Sequence, residues 1–201
     1  MTDTVDEQRR CFLRRATTAV GGIGLAAAAV PFLQYWMPSA DTEAAGAPIT
    51  VDISGMKPRD QLTIPWRGMP VWIIYRDAAM QDSLKVAMNE LRDPHSDQDQ
   101  QPLYCKNATR SIKPEFFVCI GICTHLGCVP TYRPDVDSVS TGWPGGFYCP
   151  CHGSKYDLAG RVYEGVPAPL NLKIPRYQFV NDTHIEIGED ANGIEGAISI
   201  S

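Results

Sequence analysis

Cys123-Thr124-His125-Leu126-Gly127-Cys128 and, after an intervening 20 residues, Cys149-Pro150-Cys151-His152-Gly153-Ser154-Lys155-Tyr156 decide how this chain is read. Each stretch pairs a cysteine and a histidine at short spacing, C-x-H and then C-x-x-H. Each also carries a second cysteine. Thiolate and imidazole donors at this density mark a metal site. Zinc accepts two cysteines and two histidines. That leaves Cys128 and Cys151 unused, and zinc fingers place their thiols together and their imidazoles together. Here each box supplies one thiolate and one imidazole. This fits a two-iron centre in which one iron takes both cysteines and the other both histidines.

Outward from the boxes, the chain reads as an antiparallel β domain with a loop-rich insertion over about 120–168. Strands are expected at 49–53, Gln61–Trp66, 71–75, 115–122, 170–174 and 184–188. The turn 67–70 separates the second from the third. A short helix is expected over 77–91, a polar loop over 92–101 and a loose tail over 193–201. The 201 residues allow one well-packed domain and a short extra element. The net charge is -5, and since residues 1–15 hold four Arg and three acids, the remainder carries 14 basic against 20 acidic side chains. Such a surface is a poor match for nucleic acid. Seven Cys are too many for an inert cytosolic chain and too few for a disulfide-dense scaffold.

Residues 16–40 contain no charge. As a helix, 16–37 would be about 33 Å long, enough to cross a hydrocarbon core of about 30 Å. Pro31 is expected to kink it, and Tyr35 and Trp36 fall at an interface position. Arg9, Arg10, Arg14 and Arg15 precede the segment and Asp41 and Glu43 follow it. The positive-inside rule then puts residues 1–15 in the cytoplasm and the rest outside. The run Arg9-Arg10-Cys11-Phe12-Leu13-Arg14 resembles a twin-arginine export signal. Ala45-Gly46-Ala47 has a cleavage-site form but lies far beyond the apolar run, so an uncleaved anchor is expected. Residues 38–48 (PSADTEAAGAP) read as a linker.

The chain resembles the Rieske iron–sulfur subunit of a ubiquinol-oxidising cytochrome bc complex of bacterial type. Both boxes match, as do the twin-arginine start, the single anchor, VDISGMKPRDQLTIPWRGMPVWI, LRDP and PAPLNL. The resemblance implies a mainly β fold: an N-terminal transmembrane helix, a hinge at 38–48, and an antiparallel β-sandwich head at 49–201 with an inserted cluster-binding subdomain. It implies one 2Fe-2S cluster, with Cys123 and Cys149 on one iron and His125 and His152 on the other. It further implies a Cys128–Cys151 disulfide, which requires an oxidising compartment. Two thiolates balance the charge of the oxidised core where four would leave it negative, so the potential is raised. The hydroxyls of Ser154 and Tyr156 would raise it further by hydrogen bonds to a bridging sulfide and to the Cys149 sulfur. Leu126 and Pro167 would shield the cluster. The proline loop Val166-Pro167-Ala168-Pro169 departs from the usual form at Val166, where glycine is common.

By the same resemblance the subunit is part of a catalyst, inactive alone, in a dimeric complex of the bacterial inner membrane with its head in the periplasm. Ubiquinol, held in cytochrome b, would hydrogen-bond to His152, which takes a proton while the cluster takes one electron. The head would then pass that electron to a c-type cytochrome. An alternative is the small Rieske subunit of an exported arsenite oxidase-type enzyme. A Rieske oxygenase component normally lacks the extra cysteine pair, and a zinc-binding membrane protein is the remaining reading. Cys119 is expected to pack as a small hydrophobe. Cys11, Cys105, His95 and His184 are given no site role.

Overall fold

A computed structural model gives the structure of the chain and describes residues 3–39, 42, 46–86 and 88–190. The linker positions 40, 41 and 43–45 and the tail expected at 193–201 lie outside the described residues. The chain divides into two compact units, residues 1–44 and 45–201.

The first unit is built on helix α1, Asp3–Tyr35, with Pro31 inside it. It begins well before the expected anchor and takes in the arginine pairs. Its span Asp6–Tyr35 is long and apolar enough to cross a membrane. Val20, Ile23, Leu25, Phe32 and Leu33 are all exposed. A helix whose apolar side chains point in every direction without protein cover is suited to a lipid surround.

Among its described residues the second unit contains nine strands: β1 (Ile49–Asp52), β2 (Gln61–Trp66), β3 (Met69–Tyr75), β4 (Phe116–Ile120), β5 (Thr131–Arg133), β6 (Gly146–Cys149), β7 (Ser154–Tyr156), β8 (Tyr177–Asn181) and β9 (His184–Ile187). They form three antiparallel sheets, ordered β1-β9-β8, β2-β3-β4 and β5-β6-β7. The β2–β3 turn is tighter than expected. Trp66 pairs with Met69 across Arg67 and Gly68, whose φ values are 49° and 72°. Two left-handed residues in a two-residue loop match the right-handed twist of the strands they join.

β4 is buried at all five positions. Val51, Ile185 and Ile187 from the first sheet, Ile73, Phe117 and Val118 from the second, and Phe147 and Tyr156 from the third meet in one core. Trp72 stacks on Phe147 at 5.4 Å between ring centroids, which ties the third sheet to the second.

Three expectations are corrected. Residues 170–174 form no strand, because their backbone partners are scattered: Lys173 O accepts from Ile120, Leu172 donates to Gly160 O and Ile174 to Gln100 O. The helix expected over 77–91 is only α2, Ala78–Ser83, capped by the Asp77 carboxylate on the Met80 N–H. The Leu84 carbonyl just beyond it accepts from the Arg161 guanidinium instead of continuing the helix. The loop-rich insertion, in which no strand was expected, carries the whole third sheet.

Three buried arginines replace regular ladders in the loops. Arg76 donates to Pro114 O, Thr109 O, Leu158 O and Ser111 Oγ. Arg110 donates to Ala159 O, Gly160 O, Gln101 Oε1 and Leu172 O. Arg161 pairs with Asp157 at 2.7 Å. Burial lowers Arg76 and Arg110 to about 10, so both stay charged at neutral pH. Carbonyl dipoles at fork geometry offset the desolvation. Arg110→Met should therefore cost about 3 kcal/mol or more, because it strands buried carbonyls. Arg110→Lys should recover only part, since an ammonium lacks the planar fork. Urea unfolding of the purified protein in detergent checks this, and equal midpoints for wild type and Arg110→Met would refute it.

Candidate metal centre

Cys123 lies in the loop between β4 and β5. Its N–H donates to Cys128 O at 2.7 Å, and Gly127 donates back to Cys123 O at 3.1 Å, so the first box is a closed turn. The second box begins at the last residue of β6. Cys149 pairs with Ser154, the first residue of β7, which leaves residues 150–153 as the hairpin loop. Gly153 (φ 78°) donates to Cys149 O at 2.9 Å to close it. Alternation along the hairpin puts Phe147, Cys149, Ser154 and Tyr156 all in the buried set, at 0–2 % exposure, while Tyr148 and Lys155 are half-buried.

The two loops are joined by the Cys128–Cys151 disulfide, with Cα atoms 6.8 Å apart. The Sγ atoms of Cys128, Cys149 and Cys151 lie within 4.8 Å of one another. Two of those sulfurs are spent in the disulfide, so Cys149 is the free thiol of that group. The other free thiol of the two boxes is Cys123, and both are buried. Burial raises the Cys149 thiol. The His125 and His152 rings meet edge to face at 4.8 Å. His152 is exposed and His125 half-buried. The donors are thus sorted into an inner thiol pair and an outer imidazole pair.

The Rieske [2Fe-2S] domain family matches residues 94–177, and the ubiquinol–cytochrome c reductase Fe-S subunit TAT-signal family matches residues 1–39. The ubiquinol-cytochrome c reductase iron-sulfur subunit of Allochromatium vinosum is 53 % identical over 188 residues, covering 92 % of this chain and 91 % of that one. The corresponding subunit of Bradyrhizobium diazoefficiens is 44 % identical, covering 90 % and 94 %. A solved structure described as a hyperthermophilic respiratory complex III aligns at TM-score 0.49 and 25 % identity, over 87 % of this chain and 98 % of that one. The chain belongs to the Rieske iron–sulfur subunits of ubiquinol–cytochrome c reductase.

The residues of this Rieske domain fit the two-iron group. Ser154 is fully buried, and its Oγ accepts the Ala168 N–H at 3.1 Å. Its own proton has no acceptor among the described residues, so it is a donor held in reserve. Tyr156 accepts the Thr124 N–H at 3.2 Å. Thr124 Oγ1 spends its proton on Leu170 O at 2.7 Å. The Tyr156 proton is then left to Thr124 Oγ1 or to Cys123 Sγ, each 3.2 Å away. A ligating thiolate is the stronger acceptor. The expected bond from Tyr156 to the Cys149 sulfur is therefore corrected: the sulfur it reaches is that of Cys123. The reason is the register, which pairs Tyr156 with Phe147 and puts it two residues along the strand from the Ser154 position opposite Cys149.

Leu126 is 71 % exposed, at the outer side of the first loop. Pro167 is exposed as well, and the proline-loop residue that reaches inward is Ala168. Thr124 and the Ala168 N–H were not anticipated, and nothing in the local pattern singles them out. Cys119 is fully buried, as expected, and Cys105 is buried against the Tyr177 hydroxyl at 3.7 Å. His184 sits opposite Asp52 in the β1–β9 pairing, and its ring nitrogen lies within hydrogen-bonding distance of Asn181 Oδ1 and Thr183 Oγ1 at the β8–β9 turn.

Tyr156→Phe should keep the cluster and lower its potential. Loss of about 1 kcal/mol of differential stabilisation corresponds to a drop on the order of 50 mV for one electron. Redox titration followed by EPR measures this, and an unchanged potential would contradict the assigned bond. Replacing both Cys128 and Cys151 by Ser should remove about 3 kcal/mol of loop-closure stabilisation. Cluster absorbance should then be lost at a lower temperature than in wild type.

Proposed function

We propose that this subunit is the one-electron relay between ubiquinol and a c-type cytochrome, with Cys123 and Cys149 on one iron and His125 and His152 on the other. The observation that carries the reading is the sorting of donors: buried thiols inside and facing imidazoles at the exposed tip. When bound, the two-iron group supplies a centre that takes up and returns a single electron. The protein supplies the rest. His152 is the most exposed of the four proposed ligands, so it is the one a quinol hydroxyl reaches. Its outer ring nitrogen accepts the hydrogen bond and then the proton. Leu126, beside His125, offers an apolar surface that excludes water as a quinol ring approaches. Ser154 and Tyr156 set the potential by donating toward sulfur.

Residues 1–15 are proposed to stay in the cytoplasm, with 16–37 as a single anchor in the bacterial inner membrane. Residues 38–48 form the hinge and 49–201 a periplasmic head, with residues 120–168 as its cluster-binding subdomain. The partners are cytochrome b, which holds the quinol, and the c-type cytochrome that receives the electron, in a dimeric complex. Support comes from the export-signal match, the apolar helix and a disulfide that needs an oxidising compartment.

Two variants in membranes test this. His152→Ala should abolish both the 2Fe-2S signal and ubiquinol-dependent cytochrome c reduction. Leu126→Ala should keep the signal and its potential while slowing turnover several-fold. Quinol–cytochrome c reduction that survives His152→Ala would overturn the proposal.

A further inference from the structure

We infer that a head that has lost its cluster undergoes thiol–disulfide exchange at Cys149, so that ligation of Cys149 is what keeps the Cys128–Cys151 tie in place. This rests on the proposed assignment of Cys149 as a cluster ligand. The geometry is the group of three sulfurs. Cys149 Sγ is within 4.8 Å of both sulfurs of the disulfide, and it is a free thiol. It sits at the end of β6, fixed by its pairing with Ser154 and by the Gly153 N–H on its carbonyl. Cys151, by contrast, is exposed in the hairpin loop. The nucleophile is therefore held on a strand and the leaving group lies on a loop.

The step balances without an added oxidant or reductant. The Cys149 thiolate attacks Cys128 Sγ, and a Cys128–Cys149 bond forms as the Cys128–Cys151 bond breaks. The electron pair leaves on the Cys151 sulfur, which takes a proton from water. Attack on Cys128 is favoured over attack on Cys151, because Pro150 stiffens the one-residue span between Cys149 and Cys151. Exchange requires a free attacking sulfur with access to the disulfide. A metal-bound Cys149 has no lone thiolate to offer, so the loaded head is inert. The consequence is a one-way loss. After exchange a proposed iron ligand is locked in a disulfide, and the site cannot take up a new cluster until it is reduced.

The test uses the full-length protein in detergent. Iron and sulfide content are measured first. The cluster is then removed with a chelator under anaerobic conditions without thiol reductant. Samples held for hours are quenched in acid, and all free thiols are alkylated in denaturant before peptide mapping. The Cys128–Cys149 crosslink, with label on Cys151, should rise from undetectable in the loaded protein to the major species. Cys149→Ser, carried through the same steps, should keep the Cys128–Cys151 link. Iron and sulfide should rebuild the cluster in the exchanged protein only after dithiothreitol. Persistence of Cys128–Cys151 alone would overturn the exchange while leaving the cluster assignment intact. Crosslinks to the buried Cys105 or Cys119 would assign any rearrangement to unfolding and would also overturn it. A protein with no iron or sulfide to remove would overturn both ideas.

Discussion

The register of the β6–β7 hairpin is the constraint on which the rest of the site depends. Pairing Cys149 with Ser154 and Phe147 with Tyr156 puts a thiol, two hydroxyls and a core ring on one buried face. A slip of one residue would turn that whole set toward solvent and bury Tyr148 and Lys155 instead. Phe147 guards against such a slip because it stacks on Trp72 of the neighbouring sheet. Glycine at 146 does so too. Its φ is 149°, and a side chain there would collide with the Tyr156 carbonyl. The same packing that completes the core therefore aims the chemistry.

Around that hairpin the chain is held less by ladders than by guanidinium groups. Arg110 gathers carbonyls from Ala159, Gly160 and Leu172, and Arg161 reaches Leu84 O as well as Asp157. These bonds fix the segment that leads from β7 into the proline loop. Ala168 in that loop then donates to Ser154. Hydrogen bonds thus pin the irregular loops at the guanidinium groups and the proline loop at the Ser154 hydroxyl, which is how a loop-rich subdomain achieves the rigidity a redox centre needs.

The parts of this structure legible in the sequence are those with a local signal. β2 is legible at its observed bounds because Thr63, Ile64 and Trp66 favour a strand and the run ends at the turn residues Arg67-Gly68. The helix was legible from an uncharged run, and the boxes from donor spacing alone. What escaped reading depends on distant partners. Residues 170–174 look like a strand by composition, yet their carbonyls and amides go to the end of β4 and to two separate loops. The helix after Asp77 stops where a guanidinium from residue 161 claims its next carbonyl. β5 is three residues long and exposed at both ends, so it shows no burial pattern. The sulfur that Tyr156 meets could not be read from spacing, since it depends on how two loops fold against each other.

Pulsed EPR on membranes mildly reduced with ascorbate, from cells grown with 15N-labelled histidine, tests the central claim most directly. The account predicts a rhombic 2Fe-2S signal reduced by ascorbate, with two strongly coupled histidine nitrogens. An ascorbate-reduced protein without that signal but with copurifying zinc, or a 2Fe-2S signal free of histidine couplings, would contradict it.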